Sequence, residues 1–592
     1  MSVLAARGLT VEARRRGGAV PVLRGINFAV EPGQVLGLVG EAGAGAAVVG
    51  RAVAQRLPPG LALVHGSLSF LDAELAGMPA EERRGLLGRD IAFLPPSARS
   101  ALHPGRTVGA QLEAHLRHLG VARRELRGQA MAALAGVGVA EAVLGRLPHR
   151  LSQEECQLVL VALAFAGAPK LVVAEDPTSA LDAAAQGRVL AAVQALRRAQ
   201  GAAMLFITRD LLLAGAICDE LAVMMGGDIV EIGPAASVLR APRHPYTRSL
   251  LLATPPMRGP RPDLYLLPEP ASGERALVGV AGCRFAPRCP VRAEYCLRTE
   301  PPLEGDGHRS ACIRPGLVPT IMAQGEVPPP PWRTVGEVPV LALEGVAKAV
   351  TAGPAWRRET VAAVHDVSLR IAPGEFVAVV GEEGCGASLL ARLAAGLERP
   401  AAGRTVLAGV DVTAEDESAR RQRAATVQMV FDEAQAALTP WRRVSDIVTE
   451  ALTVRHARFR VRETRARQLL AEMGMALELG VRLPGQLGEA QRRRVALARA
   501  LCGEPKLLVA DGLFDGLDAP AQADLLGLLL RLRHRIDFAL LLVCRDLAVA
   551  RHLCERVLVM HQGAIVEDGL ADTVFGWPRH DATKALLAGS PR

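Results

Sequence analysis

Val35-Leu36-Gly37-Leu38-Val39-Gly40-Glu41-Ala42-Gly43-Ala44-Gly45-Ala46-Ala47 decides the fold. The first five residues carry no charge and read as a buried strand. Glycines then force a turn, and the apolar run that follows reads as a helix. Gly40 and Gly45 have the spacing of a phosphate-binding loop, G-x-x-x-x-G-K-[ST], in which backbone amides and a helix start cradle an anion. Phe376-Val377-Ala378-Val379-Val380-Gly381-Glu382-Glu383-Gly384-Cys385-Gly386-Ala387-Ser388 writes the same pattern again. In both, alanine (Ala46, Ala387) stands at the lysine position, and only the second loop keeps the following hydroxyl, Ser388. Gly40, Gly43, Gly45, Gly381, Gly384 and Gly386 are therefore candidate phosphate contacts, with Ser388 beside them.

Outward from the loops, the two halves share an order of landmarks. Leu151 answers to Leu487, Glu175 to Asp511 and Arg209 to Arg545. Each half has a polar turn (Leu151-Ser152-Gln153-Glu154-Glu155; Leu487-Gly488-Glu489-Ala490-Gln491), then a helix. An apolar strand ending in acid (LVVAED, LLVADG) and a further apolar strand (MLFITRD, LLLVCRD) follow. Strands apolar throughout, alternating with helices, predict an α/β fold with a parallel sheet covered on both faces. The expected division is a first nucleotide-binding-like domain over 1–255, a small Cys-rich segment with a linker over 256–338, and a second such domain over 339–592. Pro328 to Pro331 reads as a stiff extended linker that lets the halves fold back face to face and pair within the chain.

Composition sets bounds. A chain of 592 residues exceeds one core, and 50% hydrophobic with 22% charged residues is the balance of a packed protein. The net charge of +8 suits a solvated surface or an anionic membrane face. No basic run is interleaved with aromatics, so no nucleic-acid partner is expected. Apolar runs such as Leu158 to Ala168 are too short to cross a bilayer. The N-terminus lacks the charged start and apolar core of a signal peptide. A cytoplasmic location follows, with membrane contact only through partners.

Glycine loop, polar turn, acidic strand end and the segment Thr178-Ser179-Ala180-Leu181-Asp182 stand in the order of ABC-transporter nucleotide-binding domains, which the chain resembles in duplicate. His244-Pro245-Tyr246-Thr247-Arg248-Ser249-Leu250 and Gly282-Cys283-Arg284-Phe285-Ala286-Pro287-Arg288-Cys289-Pro290 are similar to the tail of ATP-binding subunits of dipeptide, oligopeptide and nickel importers. The resemblance implies two P-loop domains binding ATP and Mg2+, two transmembrane permease subunits, an extracytoplasmic solute-binding protein, and a peripheral place on the inner face of the cell membrane.

The same resemblance assigns roles that many positions here no longer suit. Its loop lysine and hydroxyl hold phosphate and magnesium; Ala46 and Ala47 do neither. Ser388 and Asp511 keep a magnesium-holding pair. The adenine-stacking aromatic falls at Ala13 and Val350. A lost charge-assisted hydrogen bond and a lost stacking ring together weaken binding by roughly 100-fold to 10,000-fold. Pro96 and Asp432 stand at the metal-contacting glutamine. The signature turn LSGGQ reads LSQEE and LGEAQ; Ser152 and Gln491 are its remaining candidate cofactor contacts, while Glu154 and Glu155 repel phosphate yet suit an isolated helix start. Glu175 and Asp176 invert the usual Asp–Glu pair, leaving Asp176 as the candidate base; the second half has Gly512 there. The strand-ending histidine is Arg209 or Arg545. Either arginine replaces the missing lysine's charge from the opposite wall, or it pairs with Asp210 or Asp546.

Ten cysteines in a cytosolic setting argue against disulfides. Six lie in apolar contexts and read as core side chains. Cys283, Cys289, Cys296 and Cys312, spaced C-x5-C-x6-C-x15-C, read as metal ligands. By resemblance the group is a [4Fe–4S] cluster; Zn2+ in the same thiolates, or an empty remnant, stays open. The expected function is an import-complex ATP-binding subunit with weak or absent hydrolysis. Its rivals are a slow but real ATPase, and a scaffold or regulator with a redox-sensitive cluster.

Overall fold

The computed structural model describes residues 2–590 except 16–17, 180, 269–281, 323–324, 326–337, 353–358, 415–418, 420–422 and 455–457. The Pro328 to Pro331 linker lies outside the described residues. Each half is built on a mainly parallel sheet. In the first half seven strands run in the order Arg309–Ser310, Asp228–Pro234, Glu220–Met225, Val35–Val39, Ala203–Thr208, Leu171–Glu175 and Ile91–Leu94. Six strands in the second half centre on Phe376–Gly381, flanked by Ala539–Val543 and Arg556–His561. Val35–Val39 and Leu171–Glu175 are buried at every position, as strands covered on both faces must be. A separate four-stranded antiparallel sheet (Leu4–Arg15 at its centre; Leu341–Ala352 in the second half) lies over each core.

The Cys-rich segment differs from the expected separate small domain. Arg309–Ser310 pairs with Glu231–Ile232 at the edge of the first half's sheet. Tyr246 and Phe285, both fully buried, join the first half's core, and Cys283 and Cys289 pack against it. Strand pairing and shared apolar burial attach what is described of the segment to that half.

The halves meet within the chain. Ala184, Ala253, Met257 and Leu264 of the first half share one apolar cluster with the second half's core. The helix Asp581–Gly589 lies on the helix Ala183–Gln200 so closely that a Cβ on Gly589 would sit 1.9 Å from the Ala183 carbonyl oxygen. Among the described residues no helix is long and apolar enough to cross a membrane.

Candidate functional site

Both glycine loops keep the phosphate-loop shape. Gly45 and Gly386 adopt φ of 109° and 100°, and a Cβ on Gly386 would meet the Ala363 carbonyl oxygen at 2.2 Å. Gly40 and Gly381 turn the chain out of the strands Val35–Val39 and Phe376–Gly381. Gly43 and Gly384 share the left-handed conformation. Each loop leads into a helix, Ala46–Val53 or Ala387–Ala394, with no acid in its first turn.

Below the loops the halves diverge. In the second, Ser388 Oγ donates to Asp511 Oδ1 at 3.1 Å. In the first, Ala47 offers no hydroxyl, and Glu175, one methylene longer than aspartate, meets Arg51 at 2.8 and 3.2 Å. The Glu175 side chain is only 6% exposed, so this bidentate contact neutralises a carboxylate that burial would otherwise penalise. Arg51 was not singled out by motif reading. Its signal was the pairing of Ala47 with Glu175, a hydroxyl lost together with an acid lengthened.

The two arginines each face an acid. Arg209 Nε lies 3.5 Å from Asp176 Oδ2, and Arg209 Nη1 donates at 2.8 Å to the Gly516 carbonyl of the other half. Arg545 Nε lies 3.3 Å from Asp515 Oδ2 and Arg545 Nη2 3.9 Å from Asp432 Oδ2. Asp210 and Asp546 cap the helices that follow them. Burial pushes the Asp176 and Asp511 carboxyls up, and Asp515 up to about 6. Asp176 adopts φ of 41°, the left-handed turn that Gly512 makes without a side chain. A Cβ on Gly512 would meet Asp432 Oδ1 at 2.5 Å. Asp432 thus fills the space from which a second-half base would project.

Across the seam the halves exchange hydrogen bonds in a near-symmetric pair. Asp182 caps Ala183–Gln200 with one oxygen and accepts from the Glu383 amide with the other, at 2.8 Å. Asp518 likewise caps Ala519–Arg535 and accepts from the Ala42 amide at 2.8 Å. Ser152 forms a reciprocal capping box with Glu155, at 3.0 Å each way, and Gln491 Oε1 accepts from the Gly488 amide. Both residues are thus engaged in capping their own helices. Arg188 holds Glu154 at 2.6 and 2.8 Å. Val350, at an expected adenine position, is exposed, and Ala13 half-buried.

The family described as "ABC transporter" matches residues 23–179 and 364–514, and that described as "Oligopeptide/dipeptide transporter, C-terminal region" matches 230–296. The chain belongs to the ABC transporter family. Its two halves are ATP-binding cassettes in tandem, the α/β fold expected from the repeat. A protein named oligopeptide transport ATP-binding protein OppD, from Mycobacterium tuberculosis, is 34% identical over 99% of this chain and 97% of its own. The glutathione import ATP-binding protein GsiA of Escherichia coli K12 is 30% identical over 100% of this chain and 90% of its own. A solved ATP-binding cassette, a post-hydrolysis dimer with ADP and Pi, matches at 25% identity with a TM-score of 0.36, over 39% of this chain and 98% of its own.

Among the described residues no group of three or more His, Cys, Asp or Glu side chains is arranged to hold a metal ion, Cys283, Cys289, Cys296 and Cys312 included. These four instead line the walls of one pocket with Phe285, Val291 and Ile313. Burial pushes the Cys289 thiol up to about 11 and raises Cys283 and Cys312. From this segment Arg288 reaches the first cassette's loop, donating to Glu41 at 2.6 and 2.8 Å, while the Glu41 amide donates to the Tyr246 hydroxyl at 3.0 Å.

Proposed function

We propose that the chain is the tandem ATP-binding subunit of a peptide-type import complex, and that it binds ATP weakly with little or no hydrolysis. In this reading it sits on the cytoplasmic face of the membrane beneath two permease subunits, which an extracytoplasmic solute-binding protein supplies. Full-length similarity to proteins named for oligopeptide transport and glutathione import supports the import assignment. The observation that carries weak turnover is the neutralised acid set. Glu175 is bound by Arg51 and Asp176 lies beside Arg209, so both acids of the first cassette already face a guanidinium. In the second cassette Gly512 brings no acid to the matching position, and Asp432 fills the space beside it. With both lysines replaced by alanine, the anion rests on backbone amides alone.

One observation favours slow hydrolysis instead. Ser388 and Asp511 remain in hydrogen-bond contact and would hold magnesium, which neutralises phosphate charge. Equilibrium binding of ATP with magnesium to the purified chain, followed by single-turnover hydrolysis in the presence of permeases, separates the two. Turnover at rates ordinary for a transporter motor, about 1 per second or faster, ends the weak-turnover reading.

The four cysteines are proposed to hold a [4Fe–4S] cluster rather than Zn2+. Backbone N–H groups approach all four sulfurs: Phe285 and Ala286 at Cys283, Val291 at Cys289, Ala293 at Cys296 and Arg314 at Cys312. Such donors stabilise thiolate ligands and tune a cluster's potential. A visible absorbance band with matching iron and sulfide content after anaerobic purification supports it; zinc content without that band overturns it.

A further inference from the structure

The second phosphate loop contains a side chain that the first lacks. At matching positions the loops carry Ala42 and Glu383. Glu383 Oε2 accepts a hydrogen bond at 2.9 Å from the backbone amide of Gln153, in the opposite cassette. Gln153 is the first residue of the thirteen-residue helix Gln153–Phe165. First-turn amides have no partner inside their own helix, and the helix dipole places partial positive charge there. In this helix the capping box serves Glu155, and the carboxylate from across the seam serves Gln153. Two further contacts close the same seam: the Glu383 amide donates to Asp182 at 2.8 Å, and Arg188, already bound to Glu154, reaches Glu382 at 3.4 Å. On the other seam the Ala42 amide donates to Asp518, but a methyl group cannot reach the helix that starts at Glu489.

We propose that Glu383 is a built-in anion latch: its carboxylate occupies the N-terminus of the helix Gln153–Phe165 and holds the second phosphate loop against the first half's signature turn. An arriving phosphate must displace that carboxylate to reach the same amide. The seam is thereby asymmetric, closed by the chain itself at the second loop and dependent on other contacts at the first. This rests on the reading of the chain as a cassette pair that closes without turning over, and it names the residue that closes it.

Hydrogen exchange with residue-level fragmentation on the full-length chain tests it. In wild type without nucleotide, the Gln153 amide should be protected despite its place at a helix start. Glu383→Ala should speed its exchange about tenfold or more, the scale of one charge-assisted hydrogen bond, while the Ala42 amide changes little. Glu383→Gln preserves shape and removes charge, so it should fall between the two and guards against a general loss of fold. Adding ATP with magnesium should return protection at Gln153 in Glu383→Ala, where the seat is vacant. Exchange at Gln153 within twofold of wild type in Glu383→Ala overturns the latch. Hydrolysis measured on the same samples is scored separately: brisk turnover by wild type would sink the weak-turnover reading while leaving the exchange result to judge Glu383.

Discussion

The two phosphate loops share a backbone and differ in what holds them. Glu41 of the first is gripped by Arg288 from the Cys-rich segment, with both side chains nearly buried (14% and 11% exposed), and its amide rests on the buried Tyr246 hydroxyl. Glu382, its counterpart, touches Arg188, whose side chain is 48% exposed, at 3.4 Å. The first loop thus has a brace from its own half in addition to its seam contact at Asp518, whereas the second is held from across the seam. A duplicated fold can keep its geometry while each copy recruits different long-range partners.

The largest expected effect follows from that contrast. Arg288→Ala strands the Glu41 carboxylate in a nearly dry site, and breaking a buried pair by removing one partner costs about 3 kcal/mol. Hydrogen exchange over residues 40–47 should rise sharply. Glu382→Ala should cost under about 1 kcal/mol, because an exposed ion pair is screened by water. Equal changes in the two loops would erase the distinction between braced and unbraced.

Next comes restoring the missing charge. Ala387→Lys should tighten ATP–magnesium binding by about tenfold to a hundredfold, the scale of one charge-assisted contact. Ala46→Lys should gain less, because Ala47 supplies no hydroxyl and Glu175 already belongs to Arg51. Titration of each single variant by equilibrium binding checks it; parity between them would mean that the Ser388–Asp511 contact contributes nothing to nucleotide affinity.

Sequence reading reached the strand and helix order because that information is local: apolar runs such as Val35–Val39 and turn-forming glycines encode their own structure. It also located both loops and the acids beneath them. It missed Arg51, Arg288, Asp515 and Glu383, whose meaning depends on partners far along the chain. Arg51 reads as an ordinary helix arginine until Glu175 is found above it, and Arg288 as one more basic residue beside Cys289 until Glu41 is seen in its grip. Arg209 and Arg545 were legible as substitutions, but the acids they meet, Asp176 and Asp515, were set by the fold. The cysteine spacing suggested ligands, while the open pocket they line follows from tertiary packing.

A smaller effect separates the acids under the loops. Arg51→Ala leaves Glu175 almost wholly buried without its cation and should cost about 2 kcal/mol, reduced from the fully buried case because Arg51 is itself 39% exposed. Ser388→Ala removes a single hydrogen bond to Asp511 and should cost about 1 kcal/mol. Urea unfolding of the two variants against wild type gives the order; a costlier Ser388→Ala would place the firmer contact in the second cassette.

The most gradual effect is one of pH, and it belongs to the second cassette because Asp515 answers to the uncharged Ser179 of the first. Burial raises the Asp515 carboxyl from 3.8 to about 6, against the pull of Arg545 and Arg493 and with the push of Asp432 and Asp511. Between those values the folded chain keeps a proton that the unfolded chain has released. By linkage the contribution of this group is most favourable below about pH 4, falls as pH rises towards 6, and is flat above that. Asp515→Asn removes the titration, so the stability of wild type relative to the variant should fall by about 1 kcal/mol per pH unit across that window. Because the folded and unfolded titrations overlap, the slope stays below its limit of about 1.4 kcal/mol per unit. Urea midpoints of both proteins from pH 4 to 7 measure it. A constant difference would mean that Arg545 holds Asp515 ionised throughout, and that the second cassette's arginine is as firmly paired as Arg51 is in the first.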